Sequence, residues 1–180
     1  MQDRPLLISS LLEHAALNHS DREIVSCPIE GGEHRYTYAE CSARTKQLAK
    51  VLQKMGLQQG DRVATLAWNT WRHFELFFAI PGVGGVCHTV NPRLFEEQIV
   101  YIINHAEDRF VFVDLTFVPL LEGLQDQLKT VESYIIMTDA ANMPETSLKN
   151  VKCYEDLLAT EDGDLVWPEF DERSASSLCY

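Results

Sequence analysis

The first apolar positions of the chain recur every three to four residues, which predicts an amphipathic helix over roughly residues 7–18. Two short extended stretches follow, residues 23–27 and 34–37, and they flank Gly31 and Gly32. A glycine turn between two such stretches is typical of a β-hairpin. The chain is therefore expected to begin with a helix and a hairpin.

The next segment carries the start and stop signals of a helix. Thr37 and Glu40 have the spacing of a capping box, in which the two side chains satisfy free amides at a helix start. Gly56 stands where a left-handed residue commonly ends a helix. A helix is predicted between them, with one face at helical spacing formed by Cys41, Thr45, Leu48, Leu52 and Met55.

From Gly60 onward, short apolar strands alternate with helical stretches. Strands are predicted at residues 62–67, 86–90, 110–113 and 134–137. Helical segments are predicted at residues 69–82 with Asn69 as N-cap, at 95–105 and at 153–159, and an apolar segment at 118–128 precedes the last of these strands. Strands and helices that alternate in this way build right-handed crossover units on a parallel sheet. The predicted fold class is α/β, a mostly parallel sheet with flanking helices.

The C-terminal part of the chain has two distinct segments. Residues 138–150 are polar and turn-rich, which predicts a surface loop or linker. Residues 176–180 form an apolar, strand-like run with no cap, turn or polar tail after it. We expect a truncation there, so that residues 1–180 are one domain or the N-terminal part of one.

Composition and charge exclude several classes of protein. The chain has 180 residues, 46% of them hydrophobic, which is enough to bury a core. Its 15 Lys and Arg against 27 Asp and Glu give a net charge of −12, which repels nucleic-acid phosphates, so no nucleic-acid role is expected. No window approaches the roughly 18 consecutive apolar residues of a membrane span. The N-terminus lacks the basic region of a signal peptide.

The five cysteines lie far apart and form no C-x-x-C pair, which argues against a disulfide framework or a zinc site. They are expected to be reduced core thiols, and the protein is predicted to be cytoplasmic. The six histidines have no metal-ligand spacing, so no metal site is predicted. The carboxylates are expected mostly on solvated helix faces.

Short catalytic motifs are weak in this chain. Residues 82–87 are glycine-rich, but they lie between a helix and a strand, the reverse of the order that a dinucleotide-binding loop requires. Cys87 and His88 are neighbours on a strand, so their side chains point to opposite faces and cannot form a nucleophile–base pair. The aromatic cluster is expected to be core rather than a cofactor platform; it comprises Trp68, Trp71, Phe74, Phe77 and Phe78.

Several longer segments carry a more specific signal when they are taken together. They are residues 60–64, 68–69, 72–73, 82–88 and 91–94. In combination they resemble the N-terminal part of the adenylate-forming superfamily of acyl-CoA synthetases. Residues 86–94 followed by 101–108 look most like the medium- and long-chain fatty acyl-CoA ligases, and residues 37–40 and 82–92 look like the first two family motifs.

The resemblance implies a two-step reaction for the parent enzyme. A fatty acid attacks ATP in the presence of Mg²⁺, giving an acyl-adenylate and pyrophosphate, and the CoA thiol then displaces AMP. Fatty acid, ATP and CoA are the implied partners. The family's glycine-rich phosphate loop is expected directly after Tyr180, so no catalytic or metal-binding residue is assigned within the chain, and the isolated chain is expected to be inactive.

The only candidate site residues are Asn91 and Arg93. The resemblance implies that the turn formed by Asn91, Pro92 and Arg93 lies where CoA approaches, and a guanidinium there could pair with a CoA phosphate. The alternative is that Arg93 anchors a loop carboxylate.

Two other functions stay open at this stage. One is a non-catalytic interaction or dimerisation module with a ligase-like fold, and the other is an aryl- or small-acid CoA ligase. The apolar face of the first helix also makes a homodimer a candidate assembly.

Overall fold

A central parallel sheet with helices on both faces organises the chain in the computed structural model, which describes residues 4–180. Met1, Gln2 and Asp3, on which part of the signal-peptide prediction rests, lie outside the described residues. The helices are α1 (Ile8–Asn18), α2 (Tyr38–Lys54), α3 (Trp71–Gly82), α4 (Glu96–Ala106), α5 (Val118–Leu124) and α6 (Tyr154–Leu158). The strands are β1 (Glu23–Ser26), β2 (His34–Thr37), β3 (Arg62–Leu66), β4 (Val86–Thr89), β5 (Phe110–Val113), β6 (Ser133–Ile136), β7 (Val151–Cys153) and β8 (Ser177–Leu178).

Six of these strands pair in the order β7-β6-β5-β3-β4-β8, and each neighbouring pair is parallel. β1 and β2 form a separate antiparallel hairpin. The predicted α/β class is therefore confirmed. The one strand that the sequence pattern missed is β7, which follows the predicted loop. Its three residues are too few to show a period, and it pairs only with β6 at the sheet edge.

The sheet separates two apolar cores. Helices α2, α3 and α6 cover one face, where Leu48, Leu76 and Ile80 pack against Phe112 and Ile135. Helices α4 and α5 cover the other face, with a core that includes Ile99, Ile103, Leu121, Val111 and Val113. Because both faces are covered, the strands are nearly continuous apolar runs rather than alternating ones.

Helix termini follow the predicted signals with one exception. The capping box is confirmed, because the Thr37 hydroxyl accepts from the Glu40 amide at 3.2 Å and Glu40 accepts from the Thr37 amide at 2.7 Å. The prediction that Asn69 caps α3 is wrong. Thr70 holds the N-cap position without a side-chain cap, and Ser26 of the hairpin accepts the Trp71 amide at 3.2 Å instead. A tertiary contact has replaced the local cap.

The segment between α6 and β8 crosses back over the α2 and α3 side of the molecule. Trp167 on this segment is buried against Gly82 at the end of α3. A Cβ atom added to Gly82 would lie 2.5 Å from the Trp167 ring, so only glycine fits there without movement. This contact fixes the segment that precedes β8, the strand that pairs with β4.

Several expected environments need correction. Cys27 and Cys179 are exposed, so only three of the five free thiols are buried. Trp68 and Phe77 are exposed rather than core residues, at 40% and 37%. The carboxylates of Glu75, Asp108, Asp114 and Glu161 are buried and are exceptions to the expectation of mostly solvated acids.

Within residues 4–180, the structure contains no helix that is both long and apolar enough to cross a membrane.

Candidate functional site

A cleft of about 520 Å³ opens at the carboxyl ends of β3, β4 and β8. The loops that follow these strands form its walls, and α3 contributes the side that faces the hairpin. Its lining includes Trp68, Asn69, His73, Phe77, Asn91 and Arg93. Open parallel sheets bind ligands outside the carboxyl ends of their strands, so this cleft is the candidate functional site.

The order in which strands are added reverses between β3 and β5, because the chain first adds β4 on one side of β3 and then β5 on the other. This crevice is closed by the protein's own groups. Asp114, directly after β5, accepts a hydrogen bond from the Trp68 amide at 2.5 Å. Burial raises the pKa of Asp114 to about 6, against the lowering effect of that hydrogen bond.

A buried charge cluster covers the neighbouring ends of β5 and β6. Glu30, from the turn of the β1–β2 hairpin, accepts hydrogen bonds from Arg72 and from the Thr138 hydroxyl, both at 2.7 Å. Arg72 also donates to Glu155 at 2.8 Å and to the Met137 carbonyl at 3.0 Å. Burial acts to raise the pKa of Glu30, but these hydrogen bonds outweigh it and lower that pKa.

The cluster continues between α2 and α3. Glu75 is fully buried, accepts from Arg44 at 2.7 Å and accepts from the Tyr154 hydroxyl at 2.6 Å. Burial raises the pKa of Glu75 to about 7, although Arg44 acts to lower it. Arg44 donates to Glu155 as well, at 3.0 Å, which joins the two parts. We call Glu30, Arg44, Arg72, Glu75 and Glu155 the ion network.

Trp68 at the cleft wall is held by both of its backbone polar groups. Its amide donates to Asp114, and its carbonyl lies 3.1 Å from His73 Nδ1. A carbonyl only accepts, so His73 carries its proton on Nδ1. Burial lowers the pKa of His73 and favours the neutral ring. His73 Nε2 then accepts from the Thr65 hydroxyl at 3.0 Å.

The two residues that the sequence nominated lie together at the rim of this cleft. Asn91 Oδ1 accepts from the Arg93 amide at 3.0 Å, which fixes the turn after β4. Both side chains are exposed. No carboxylate among residues 4–180 forms an ion pair with Arg93, so the alternative role as a loop anchor has no partner in this part of the chain.

A second buried histidine, His88, does not line the cleft. His88 Nδ1 is 2.6 Å from Asp108 Oδ2, and both side chains are fully buried. Cys87 packs in the core on the α3 side, so the prediction that Cys87 and His88 point to opposite faces is confirmed. Across the described residues, no group of three or more His, Cys, Asp or Glu side chains is placed to hold a metal ion.

Sequence reasoning missed Trp68, His73 and Asp114. Two of them could have been identified from their position in the chain rather than from their residue type. Trp68 and Asp114 come within two residues of the ends of β3 and β5, where ligand sites of parallel sheets form. His73 gave no signal of its own, because its role depends on which strand α3 packs against.

A parallel, helix-covered sheet with an open cleft at its carboxyl edge defines an α/β ligand-binding domain. The chain belongs to the AMP-binding enzyme family, whose profile matches residues 12–180. The resemblance that the sequence analysis stated is thereby confirmed.

Named relatives agree with this assignment. Over all 180 residues the chain is 47% identical to a 3-methylmercaptopropionyl-CoA ligase of Ruegeria lacuscaerulensis and covers 33% of it. It is 44% identical over the same length to a medium-chain fatty acid–CoA ligase of Ectopseudomonas oleovorans, again covering 33%. The crystal structure of coronafacic acid ligase from Pectobacterium brasiliense shares the fold, with a TM-score of 0.83 at 15% identity, over 97% of this chain and 33% of that one. The chain thus spans about a third of the length of the curated relatives it matches.

Proposed function

We propose that this chain is the N-terminal part of an ATP-dependent fatty acyl-CoA synthetase. In the proposed reaction, the acid's carboxylate attacks the α-phosphate of ATP, releasing pyrophosphate, and the CoA thiol then displaces AMP to form the thioester. The observation that carries the proposal is the open cleft at the carboxyl edge of a sheet that belongs to the AMP-binding enzyme family.

In this proposal, Asn91 and Arg93 form the lip of the cleft where CoA approaches. Arg93 is exposed, and its guanidinium can pair bidentately with a phosphate. The whole chain is strongly acidic, with a net charge of −12, so a guanidinium at the cleft with no carboxylate partner among residues 4–180 is a local attraction for an anionic ligand.

The residues of this chain give weaker support for the binding of ATP and Mg²⁺. In the portion that the structure describes, no cluster of carboxylates fits a metal ion. We therefore derive no step through Mg²⁺ from these residues. We expect the isolated chain neither to exchange pyrophosphate into ATP nor to form acyl-CoA.

The inactivity is tested with radiolabelled pyrophosphate, ATP, Mg²⁺ and decanoate. Exchange at the level of a no-protein control is expected, and fatty-acid-dependent exchange well above that level would contradict the expectation. The proposal itself is tested by sequencing past codon 180. A continuation of roughly ten Ser-, Thr- and Gly-rich residues with a Lys has the composition of a phosphate loop. A stop codon would favour the interaction module instead.

The acid remains a choice between two classes. Similarity to a medium-chain fatty acid–CoA ligase at 44% identity supports a fatty acid. Similarity to a 3-methylmercaptopropionyl-CoA ligase at 47% supports a small acid, the second candidate. The product of the longest reading frame should be assayed with octanoate, 3-methylmercaptopropionate and benzoate. A kcat/KM highest for octanoate supports the first class, and a highest value for either other acid overturns it.

A homodimer and a cytoplasmic location stay predictions. The outward Leu11 and Leu17 of α1 are 63% and 83% exposed, which supports association through this helix. Light scattering at high concentration should then give twice the monomer mass of 20.5 kDa, and a monomer mass would contradict the dimer.

A further inference from the structure

We propose that Trp68 is a stacking platform for the adenine of CoA, the nucleotide whose phosphate Arg93 meets in the proposed function. This inference rests on the proposed function and names the part of CoA that the cleft holds. The sequence analysis expected the aromatic cluster, Trp68 included, to be core rather than a binding platform, so this role for Trp68 differs from that expectation.

The first observation is the exposure of an indole at the candidate site. The chain has three tryptophans, and Trp71 and Trp167 are buried at 6% and 8% exposure. Trp68 is 40% exposed and lines the cleft. A large aromatic surface left in water at a concave site is typical of a ligand-binding position.

The second observation is that this exposed residue is rigidly held. Asp114, 1% exposed, binds the Trp68 amide, and His73, 4% exposed, binds its carbonyl. Behind the indole, the Phe117 ring packs at 5.1 Å between ring centroids and at 45°. Side chains from two segments, α3 and residues 114–117, therefore hold the backbone and ring of a residue that still lines the cleft. Such preorganisation lowers the entropy cost of binding a planar group.

The third observation is the chemistry of the surrounding wall. The Trp68 ring shares the cleft with the amides of Asn69 and Asn91, the hydroxyl of Thr89 and the guanidinium of Arg93. An aliphatic chain offers no hydrogen-bond partner to the exposed side chains of Asn69 and Arg93, whereas Asn91 already accepts from the Arg93 amide and the Thr89 hydroxyl lies 3.7 Å from Cys179 Sγ. A nucleotide offers a π-face to the indole, ring nitrogens and hydroxyls to the amides, and phosphate to Arg93.

The experiment uses two halves of CoA as probes on the 180-residue chain. Adenosine 3′,5′-bisphosphate carries the nucleotide, and pantetheine carries the thiol arm. We expect calorimetry to detect binding of CoA and of the bisphosphate, and pantetheine to bind far more weakly. Trp68→Leu should weaken bisphosphate binding by about 5- to 150-fold, the range reported for loss of one base–aromatic stack, while Trp68→Phe should retain most of the affinity.

Matched controls separate stacking from general effects of substitution. Phe95→Leu removes an aromatic ring that is 74% exposed but does not line the cleft, so it should leave binding unchanged. Arg93→Gln should weaken the bisphosphate and reduce the dependence of its affinity on salt. Circular dichroism establishes that each variant is folded.

A direct readout makes the test independent of any variant's affinity. Incorporating 5-fluorotryptophan gives one ¹⁹F resonance for each tryptophan, and Trp68→Phe identifies the Trp68 signal. The bisphosphate should shift that signal and leave those of Trp71 and Trp167 in place.

The outcomes distinguish the inference from the proposed function. Equal CoA binding by wild type and Trp68→Leu, with no ¹⁹F shift, overturns the platform and leaves the synthetase proposal standing. A Trp68 shift with decanoate but not with the bisphosphate assigns the indole to the acyl chain and overturns the platform. Absence of binding by both CoA and the bisphosphate overturns the platform together with the proposed CoA site.

Discussion

Two halves of the same sheet edge differ in how their charges are satisfied. Over β5 and β6, the hairpin residue Glu30 reaches Arg72, and the crevice is filled. Over β3, β4 and β8 no such element reaches in, and the edge is open around Trp68 and Arg93. Backbone topology alone does not decide where a ligand can enter, because Asp114 closes the switch point between β3 and β5, the hairpin covers the ends of β5 and β6, and the adjacent cleft is left open.

The two guanidiniums at this edge illustrate the difference. Arg72 is 6% exposed and has two partly buried carboxylate partners, Glu30 and Glu155, so its removal would leave their charge less well compensated. Arg93 is exposed and has no carboxylate partner among the described residues, so it contributes little to folding and is free to meet a ligand. Four predictions test this contrast.

The largest effect is expected from Arg72→Met. The substitution removes a buried guanidinium, which leaves the partly buried Glu30 with the Thr138 hydroxyl and Glu155 with Arg44 alone. We expect the free energy of unfolding to fall by about 3–5 kcal/mol. Urea denaturation followed by circular dichroism measures it. A loss below 1 kcal/mol would show that the ion network does not hold the hairpin to the core.

The second prediction concerns pH. The pKa of Asp114 is raised by burial to about 6, above its value of about 3.9 in an unfolded chain. The folded state therefore holds the proton more tightly. The stability from this group is full below pH ~4 and is lost as pH rises through 6. Relative to Asp114→Asn, the wild type should lose up to about 2–3 kcal/mol across that window.

Asp139→Asn is the control for that measurement. Hydrogen bonds from Asn142 lower the pKa of Asp139, so its contribution is present at neutral pH and is lost as pH falls. Between pH 4 and 7 the difference between wild type and Asp139→Asn should therefore stay nearly constant, while the difference between wild type and Asp114→Asn changes. Parallel pH profiles for the two variants would contradict the assignment to Asp114.

A smaller effect is expected from Glu30→Gln. The amide still offers an oxygen to the Thr138 hydroxyl, but the charge that pairs with Arg72 is gone. We expect a loss of roughly 1–2 kcal/mol in unfolding free energy, less than for Arg72→Met, because Arg72 keeps Glu155. A loss of unfolding free energy equal to that of Arg72→Met would mean that the pair with Glu30 accounts for the whole contribution of Arg72 to stability.

The smallest effect on stability is expected from Arg93→Gln. Its side chain is exposed and unpaired with any carboxylate of residues 4–180, so the unfolding free energy should change by no more than about 0.5 kcal/mol. The same denaturation experiment measures it. A loss above 2 kcal/mol would place Arg93 in the structural framework and remove the contrast with Arg72.

Local signals were sufficient for most of the fold. Helix α2 begins at the capping box of Thr37 and ends at the left-handed Gly56, with φ 84°, as the sequence predicted. The alternation of strands with helices gave the parallel sheet, because connection handedness leaves few topologies. A prediction failed where a tertiary contact replaced a local one. Asn69 does not cap α3, because Ser26 of the hairpin accepts the Trp71 amide instead.

The site was less accessible from sequence. Asn91 and Arg93 were nominated by resemblance, and their position at the cleft rim agrees with that nomination without testing it. Trp68 was assigned to the core because aromatic residues at helical spacing usually are, but it precedes α3 and lies at a strand end. The sequence around Glu75 does not indicate that this residue is buried, because its partners Arg44 and Tyr154 are 31 and 79 residues away along the chain.

The contact between Gly82 and Trp167 constrains how this chain can diverge. An alanine at position 82 would place its Cβ 2.5 Å from the indole, whereas a smaller side chain at 167 would first open room for it. The two changes are therefore tolerated in one order and not in the other. Among descendants of this sequence, a residue larger than glycine at position 82 should occur only where the tryptophan at position 167 has already been replaced.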